Sequence, residues 1–120
     1  MKILLAEDNL ENRDMLARRL ERRGHQVLLA EDGSRAIELA KSDPPDLILM
    51  DVSMPVMSGL DATRALRADP DTAHLKIIAL TAHAMASARD ECLGAGCDAF
   101  ATKPVDFAAL IVTMDEVAAA

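Results

Sequence analysis

The chain has no tryptophan and no tyrosine, and Phe100 and Phe107 are its only aromatic residues. Proteins that grip single-stranded nucleic acid stack bases on aromatic faces, and two rings make a poor platform. Positive charge is also scarce. Thirteen Lys and Arg stand against twenty Asp and Glu, a formal net charge of −7. That is the wrong sign for a phosphate backbone or an anionic membrane surface, so direct nucleic-acid and membrane binding are excluded as functions. Cysteine is limited to Cys92 and Cys97. Their spacing is neither C-x-x-C nor that of a zinc finger, and both are read as reduced thiols of a cytoplasmic protein. Long apolar runs are missing as well. The opening stretch holds only residues 3–6 between a lysine and an acid, too short for a signal-peptide core. Nothing approaches the about 18 apolar residues that span a bilayer.

What is present is aliphatic. Apolar residues make up 51% of the 120, so the core is expected to be Leu, Ile, Val, Ala and Met. A chain of this length forms one domain, 1–120, and buries roughly two-thirds of its unfolded surface. Short apolar runs alternate with amphipathic stretches five times. The runs at 3–6, 27–30, 47–50, 77–80 and 98–101 predict strands. The stretches at 10–23, 34–41, 59–68, 85–93 and 105–117 predict helices, with Asn9 and Asp106 as N-caps and Gly24 just past the first helix. Strands apolar on both faces and separated by helices form a parallel sheet covered on both sides, an α/β fold. In such sheets ligands bind beyond the carboxyl ends of the strands, where the winding reverses.

The residues at those carboxyl ends are Glu7 and Asp8 after the first strand, Asp51 after the third, Thr81 after the fourth and Lys103 after the fifth. The second strand runs into Glu31-Asp32-Gly33, an ordinary turn into a helix. Three carboxylates brought to one edge repel, and that invites a hard divalent cation with oxygen ligands. Such an ion neutralises charge in phosphoryl transfer. Asp51, at the tip of a buried strand, is placed as a nucleophile, because carboxylates form acyl phosphates. Lys103 binds a phosphoryl oxygen as a point charge, and Thr81 donates a hydrogen bond to another.

The ordered set Glu7-Asp8-Asn9, Asp51 with Met54-Pro55 and Gly59, Thr81-Ala82, and Phe100 ahead of Lys103-Pro104 resembles the receiver domain of two-component response regulators. The resemblance covers essentially the whole chain. It implies a five-stranded flavodoxin-like (βα)5 fold of strand order 2-1-3-4-5, with Asp51 as phosphoacceptor. Mg²⁺, or Mn²⁺ in its place, would be bound by Asp8, Asp51 and the Ser53 backbone carbonyl, with Glu7 holding a metal-bound water. Thr81, Ala82 and Lys103 would bind the phosphoryl group. Thr81 and Phe100 would form the switch, and the bond before Pro104 would be cis. Ser53 and His83, each two residues past a site residue, would tune phosphoryl lifetime. A histidine kinase or histidine phosphotransfer protein would be the donor and a downstream protein the target, with the chain a monomer or weak dimer. It would act alone or as part of a longer regulator or hybrid kinase, and catalyse only its own phosphorylation and dephosphorylation. Two charge-assisted hydrogen bonds, of roughly 1.5–3 kcal/mol each, would bias such a switch about a hundredfold or more.

Each residue also has a plainer reading. Glu7 and Asp8 suit the start of a helix by charge alone, Thr81 suits a helix cap, and Phe100 suits the core. His25 and His83 read as surface histidines. Arg18, Arg19, Arg22 and Arg23 read as a solvated face, with Asp14 and Arg18 an i,i+4 pair, or as a docking face for an acidic partner. The last helix lacks Lys and Arg, and Ile111 and Val112 lie off its 107–110–114 stripe, which suggests an apolar outer face open to a partner. A dehalogenase-type phosphotransferase also uses a strand-end Asp, but it wants a second Asp where Ser53 stands. A flavin-binding carrier would want a Ser/Thr/Gly-rich phosphate loop after the first strand, which is missing here, and a phosphorylation-independent adaptor with the same fold is a further alternative.

Overall fold

The computed structural model describes residues 1–82 and 85–120. Strands and helices alternate along the chain: β1 (Lys2–Ala6), α1 (Leu10–Arg22), β2 (Gln26–Ala30), α2 (Gly33–Ser42), β3 (Leu47–Asp51), α3 (Gly59–Ala68), β4 (Lys76–Thr81), α4 (Ala86–Ala95), β5 (Ala99–Thr102) and α5 (Phe107–Ala119). Neighbouring strands pair in parallel in the order β2-β1-β3-β4-β5, the predicted order. The winding therefore reverses at β1, and the crevice for a ligand lies beyond the ends of β1 and β3.

Alternation along each strand sends successive side chains to opposite faces. Leu4, Ala6, Ile48, Met50, Ile77 and Ala79 pack on the face covered by α2, α3 and α4. Ile3, Leu5, Leu47, Leu49, Ile78 and Leu80 pack on the face covered by α1 and α5, against Leu16, Leu20, Leu110 and Met114. By the same parity Asp51 and Glu7 fall on the α1–α5 side.

Local chemistry sets the helix ends. Asn9, Asp32, Ser58 and Asp106 each accept a hydrogen bond from the N–H three residues on, removing one orphan donor per helix. Asp32 is the cap at the turn into α2, which begins one residue earlier than its pattern suggests. The α4 helix runs through Gly94 and stops where Gly96 turns to φ 111°. Strand β5 begins at Ala99, one residue later than expected, because the Asp98 carboxylate accepts from the Ile77 N–H at 2.8 Å and from Arg67 at 2.9 Å. Arg67 also donates to the Gly96 carbonyl at 2.8 Å, which pins the α4–β5 turn to α3.

Two expectations need correction. Ile111 is not on an open face: it is 9% exposed and packs in the α1–α5 core, and Val112, 57% exposed, faces outward. The spacing 107, 110, 111, 114 widens the apolar stripe beyond the narrow one inferred from its first members. Arg19 is not simply solvated, since its guanidinium lies 5.7 Å from the Phe107 ring centre in a cation–π contact. The Asp14–Arg18 pair is present at 3.1 Å. Cys92 and Cys97 are both free and buried, and burial pushes the Cys97 thiol up to about 11. Among the described residues no helix is long and apolar enough to cross a membrane.

Gly59 sits where the chain leaving β3 folds back on it. A Cβ there would lie 2.0 Å from the Asp51 carbonyl oxygen and 2.9 Å from Met50 Cγ, whereas one at Gly94 would meet nothing within 4 Å. Gly59→Ala is expected to lower stability by about 3 kcal/mol through forced backbone displacement. Gly94→Ala, inside α4, is expected to raise it by about 0.5–1 kcal/mol. Urea denaturation midpoints of the two variants check both signs.

Candidate functional site

Two of the acids at the carboxyl edge are inside the protein. Glu7 and Asp51 are each 3% exposed, while Asp8 is on the surface. Such burial of carboxylates is costly without partners. The partner is Lys103, whose Nζ donates to the Glu7 Oε1 and Oε2 at 3.2 and 2.8 Å and to the Asp51 Oδ2 at 2.9 Å. Backbone pairing brings it there. The Lys103 N–H donates to the Thr81 carbonyl at 2.7 Å, one step past the β4–β5 ladder, and the following Lys103–Pro104 peptide is cis.

The first turn of α1 reaches back to the same corner. Asn12 Nδ2 lies 3.4 Å from Glu7 Oε1, and Arg13 Nη1 donates to the Glu7 carbonyl at 3.0 Å. On the Asp51 side, the Ser53 N–H donates to Oδ1 at 3.2 Å. Two buried acids against one ammonium leave a negative excess. Burial, and then the hydrogen bond shared with Glu7, push Asp51 up to about 7 despite the opposing pull of Lys103. Burial also works to raise Glu7, but its bonds with Asp51, Lys103 and Asn12 and the Lys103 charge outweigh that, and it ends lowered. Burial pulls Lys103 down, yet its two carboxylate partners prevail and hold it above the usual lysine range.

The fit to a metal follows from the donor set. Carboxylate oxygens of Glu7, Asp8 and Asp51 lie within 4.8 Å of one another. An all-oxygen, anionic set of this size suits a hard divalent cation.

The other predicted residues are placed as follows. Thr81 ends β4 and is buried, 3% exposed. In register, Asp51 stands opposite Leu80, so Thr81 is one position further along the neighbouring strand. Ala82 and Ser53 are exposed, and Phe100 is half-buried against the α2–α3–α4 side of the core. His83 lies outside the described residues. Sequence reasoning missed Asn12 and Arg13, whose only signal is their position in the first turn of the helix after Glu7-Asp8. It also missed that Lys103 bridges both buried acids. A cavity of about 480 Å³, lined by Glu7, Lys103, Met15, Arg19 and Phe107 among others, opens between α1 and the β5–α5 connection.

Residues 3–115 match the family described as response regulator receiver domain. The chain is 40% identical over 112 residues to hybrid signal transduction histidine kinase I of Dictyostelium discoideum, covering 88% of this chain and 6% of that protein. It is 34% identical over 112 residues to the polar-differentiation response regulator DivK of Brucella anthropi, covering 93% and 91%. The receiver domain of sensor histidine kinase PA1611 from Pseudomonas aeruginosa, solved with magnesium ion coordinated in its active-site cleft, superposes with TM-score 0.91 at 37% identity, over 99% of this chain and 98% of that one. The Saccharomyces cerevisiae Ssk1 receiver domain, solved with the histidine phosphotransfer protein Ypd1, superposes with TM-score 0.91 at 29% identity, over 99% and 89%. The chain belongs to the response regulator receiver domain family. These are signalling domains of two-component systems rather than conventional enzymes, and phosphoryl-aspartate and Mg²⁺ are their general chemistry.

Lys103→Met removes the cation that both buried acids share, and breaking a buried pair is strongly destabilising. Because the Lys103 side chain is 23% exposed, the expected loss is about 2 kcal/mol of metal-free stability, below the fully buried range. Added Mg²⁺ should then raise the melting temperature of the variant more than that of the native chain. Thermal unfolding with and without Mg²⁺ measures this.

Proposed function

We propose that this receiver takes a phosphoryl group onto Asp51, from a phosphohistidine of a histidine kinase or phosphotransfer protein. The carrying observation is that Asp51 is a buried carboxylate at a strand tip, 2.9 Å from a lysine and within reach of two further acids. An Asp51 oxygen attacks phosphorus, an O–P bond forms, and the P–N bond to the imidazole breaks with its electron pair leaving on nitrogen. Hydrolysis reverses the gain: water attacks phosphorus, the O–P bond to Asp51 breaks, and inorganic phosphate leaves. Asp8, Asp51 and the Ser53 carbonyl would hold the Mg²⁺, with Glu7 holding a metal-bound water, and the ion would supply neutralisation of the charge on the transferring group. Lys103 trades its carboxylate partners for a phosphoryl oxygen, and the Ala82 N–H binds another.

Because Lys103 is ion-paired before transfer, its move exchanges one charged contact for another and adds little net bias. Thr81 supplies a second contact to the phosphoryl group. A hydrogen bond from its hydroxyl to the phosphoryl group, at about 1.5–3 kcal/mol, shifts a two-state equilibrium roughly tenfold to a hundredfold. Phe100, half-buried, fills the space that Thr81 vacates. Ser53 borders the mouth and takes part in setting phosphoryl lifetime, as does His83 in the sequence reading. Exposed Leu10, Met15, Val56 and Met85 all lie in or next to segments at the carboxyl edge, which supports docking by a protein rather than a small metabolite. The buried free thiols support a reducing, cytoplasmic setting.

Incubation with acetyl phosphate and Mg²⁺ is expected to add one phosphoryl group by intact mass. Asp51→Asn, or omission of Mg²⁺, is expected to abolish the gain. No gain in the native chain would turn the reading to a phosphorylation-independent adaptor.

A further inference from the structure

Lys103 cannot do two things at once. In this structure it contacts both oxygens of Glu7 and one of Asp51. The reading above requires it to leave for a phosphoryl oxygen, and that would release Glu7 when its carboxylate must stay aimed at the metal site. The only other side-chain donor to the Glu7 carboxylate among the bonds described is Asn12, through Nδ2 to Oε1 at 3.4 Å. Its neighbour Arg13 holds the Glu7 main-chain carbonyl at 3.0 Å, and the Glu7 N–H is fixed to the Ala30 carbonyl at 3.0 Å.

We propose that Asn12 is a positioning residue for Glu7: with Arg13 it forms a bracket from the first turn of α1 that keeps the Glu7 carboxylate directed at the metal site once Lys103 has gone. This rests on the metal-site reading of Glu7, Asp8 and Asp51. Helical geometry supports it. The N-cap Asn9 accepts from the Asn12 N–H at 2.9 Å, so the Asn12 backbone is fixed independently of its side chain and the amide is free to face back across the turn. The Asn12 bond is long in the presence of the competing lysine, as such bonds often are before a ligand arrives, and it shortens when Lys103 no longer shares Oε1. Outer-sphere partners of metal-site carboxylates commonly change metal affinity by 10- to 100-fold. One neutral amide reaching a residue one step removed from the ion belongs at or below the low end of that range.

Asn12 is exposed, so its substitution leaves the core intact. Mn²⁺ binding, read as loss of the free-ion signal in electron paramagnetic resonance, is measured for the native chain and, in a Lys103→Met background where the lysine is gone, with Asn12→Leu, Glu7→Gln or both added. Asn12→Leu is expected to weaken Mn²⁺ binding three- to tenfold with metal-free melting unchanged. In the Glu7→Gln background the same change is expected to shift binding by less than twofold, because its effect passes through the Glu7 carboxylate. Unchanged affinity in Asn12→Leu, an equal loss in both backgrounds, or a loss matched by lower metal-free stability would each overturn the proposal. Failure of the native chain to bind Mn²⁺ at all would instead overturn the metal-site reading, and this inference with it.

Discussion

Two carboxylates sit almost wholly out of water at the end of a parallel sheet, and one ammonium stands between them. An unpaired charge in that position costs several kcal/mol, so the Glu7–Lys103–Asp51 contacts constrain everything around them. They require β1 and β3 to be neighbours, which the crossover order supplies. They require the chain to leave β5 so that Lys103 turns inward at 2.8 and 2.9 Å from its partners. They also leave the site short of one positive charge, a deficit that suits a divalent cation.

The sheet serves the site through parity and register. Residues of one parity build one face of the core, and Glu7 and Asp51 continue the parity that faces α1 and α5. This puts the acids beside the start of α1, where Asn12 and Arg13 can reach them, and beside the β5–α5 connection that carries Lys103. The opposite face, toward α2, α3 and α4, takes Phe100. In the proposed mechanism the chemistry and its readout therefore lie on different sides of one sheet, joined by Thr81 at the end of β4. A small displacement at the acids needs to cross only one strand to reach the helices beyond.

In the proposed mechanism the switch is energetically modest. Lys103 is already paired with both buried carboxylates, so its regrouping around a phosphoryl oxygen would be near-balanced. In the same proposed mechanism the Thr81 hydroxyl adds a charge-assisted bond to that group. A domain with two alternative arrangements separated by little free energy is easily shifted by phosphorylation, and equally easily by a partner that prefers one arrangement.

Much of this was legible in the residues. Apolar runs of four ending in an acid, a hydroxyl or a lysine specified a parallel sheet and the contents of its carboxyl edge, because burial on both faces leaves a period-free apolar run that composition alone reveals. Helix starts were readable where a side chain caps its own turn, as at Asn9 and Asp106. What the linear sequence could not express were contacts between segments distant along the chain. The Asp98 carboxylate delays β5 by bonding to Ile77 and Arg67. Ile111 is buried because α5 meets β4 and α1 at a particular rotation. Asn12 and Arg13 join the acid pair only because α1 folds back over the end of β1. Short-range periodicity fixes which elements form, whereas these depend on angles and distances between elements already packed. Only the tertiary structure could decide that Lys103 lies between two acids, since one ammonium's choice of partner is set by which carboxylates are dry and within 3 Å.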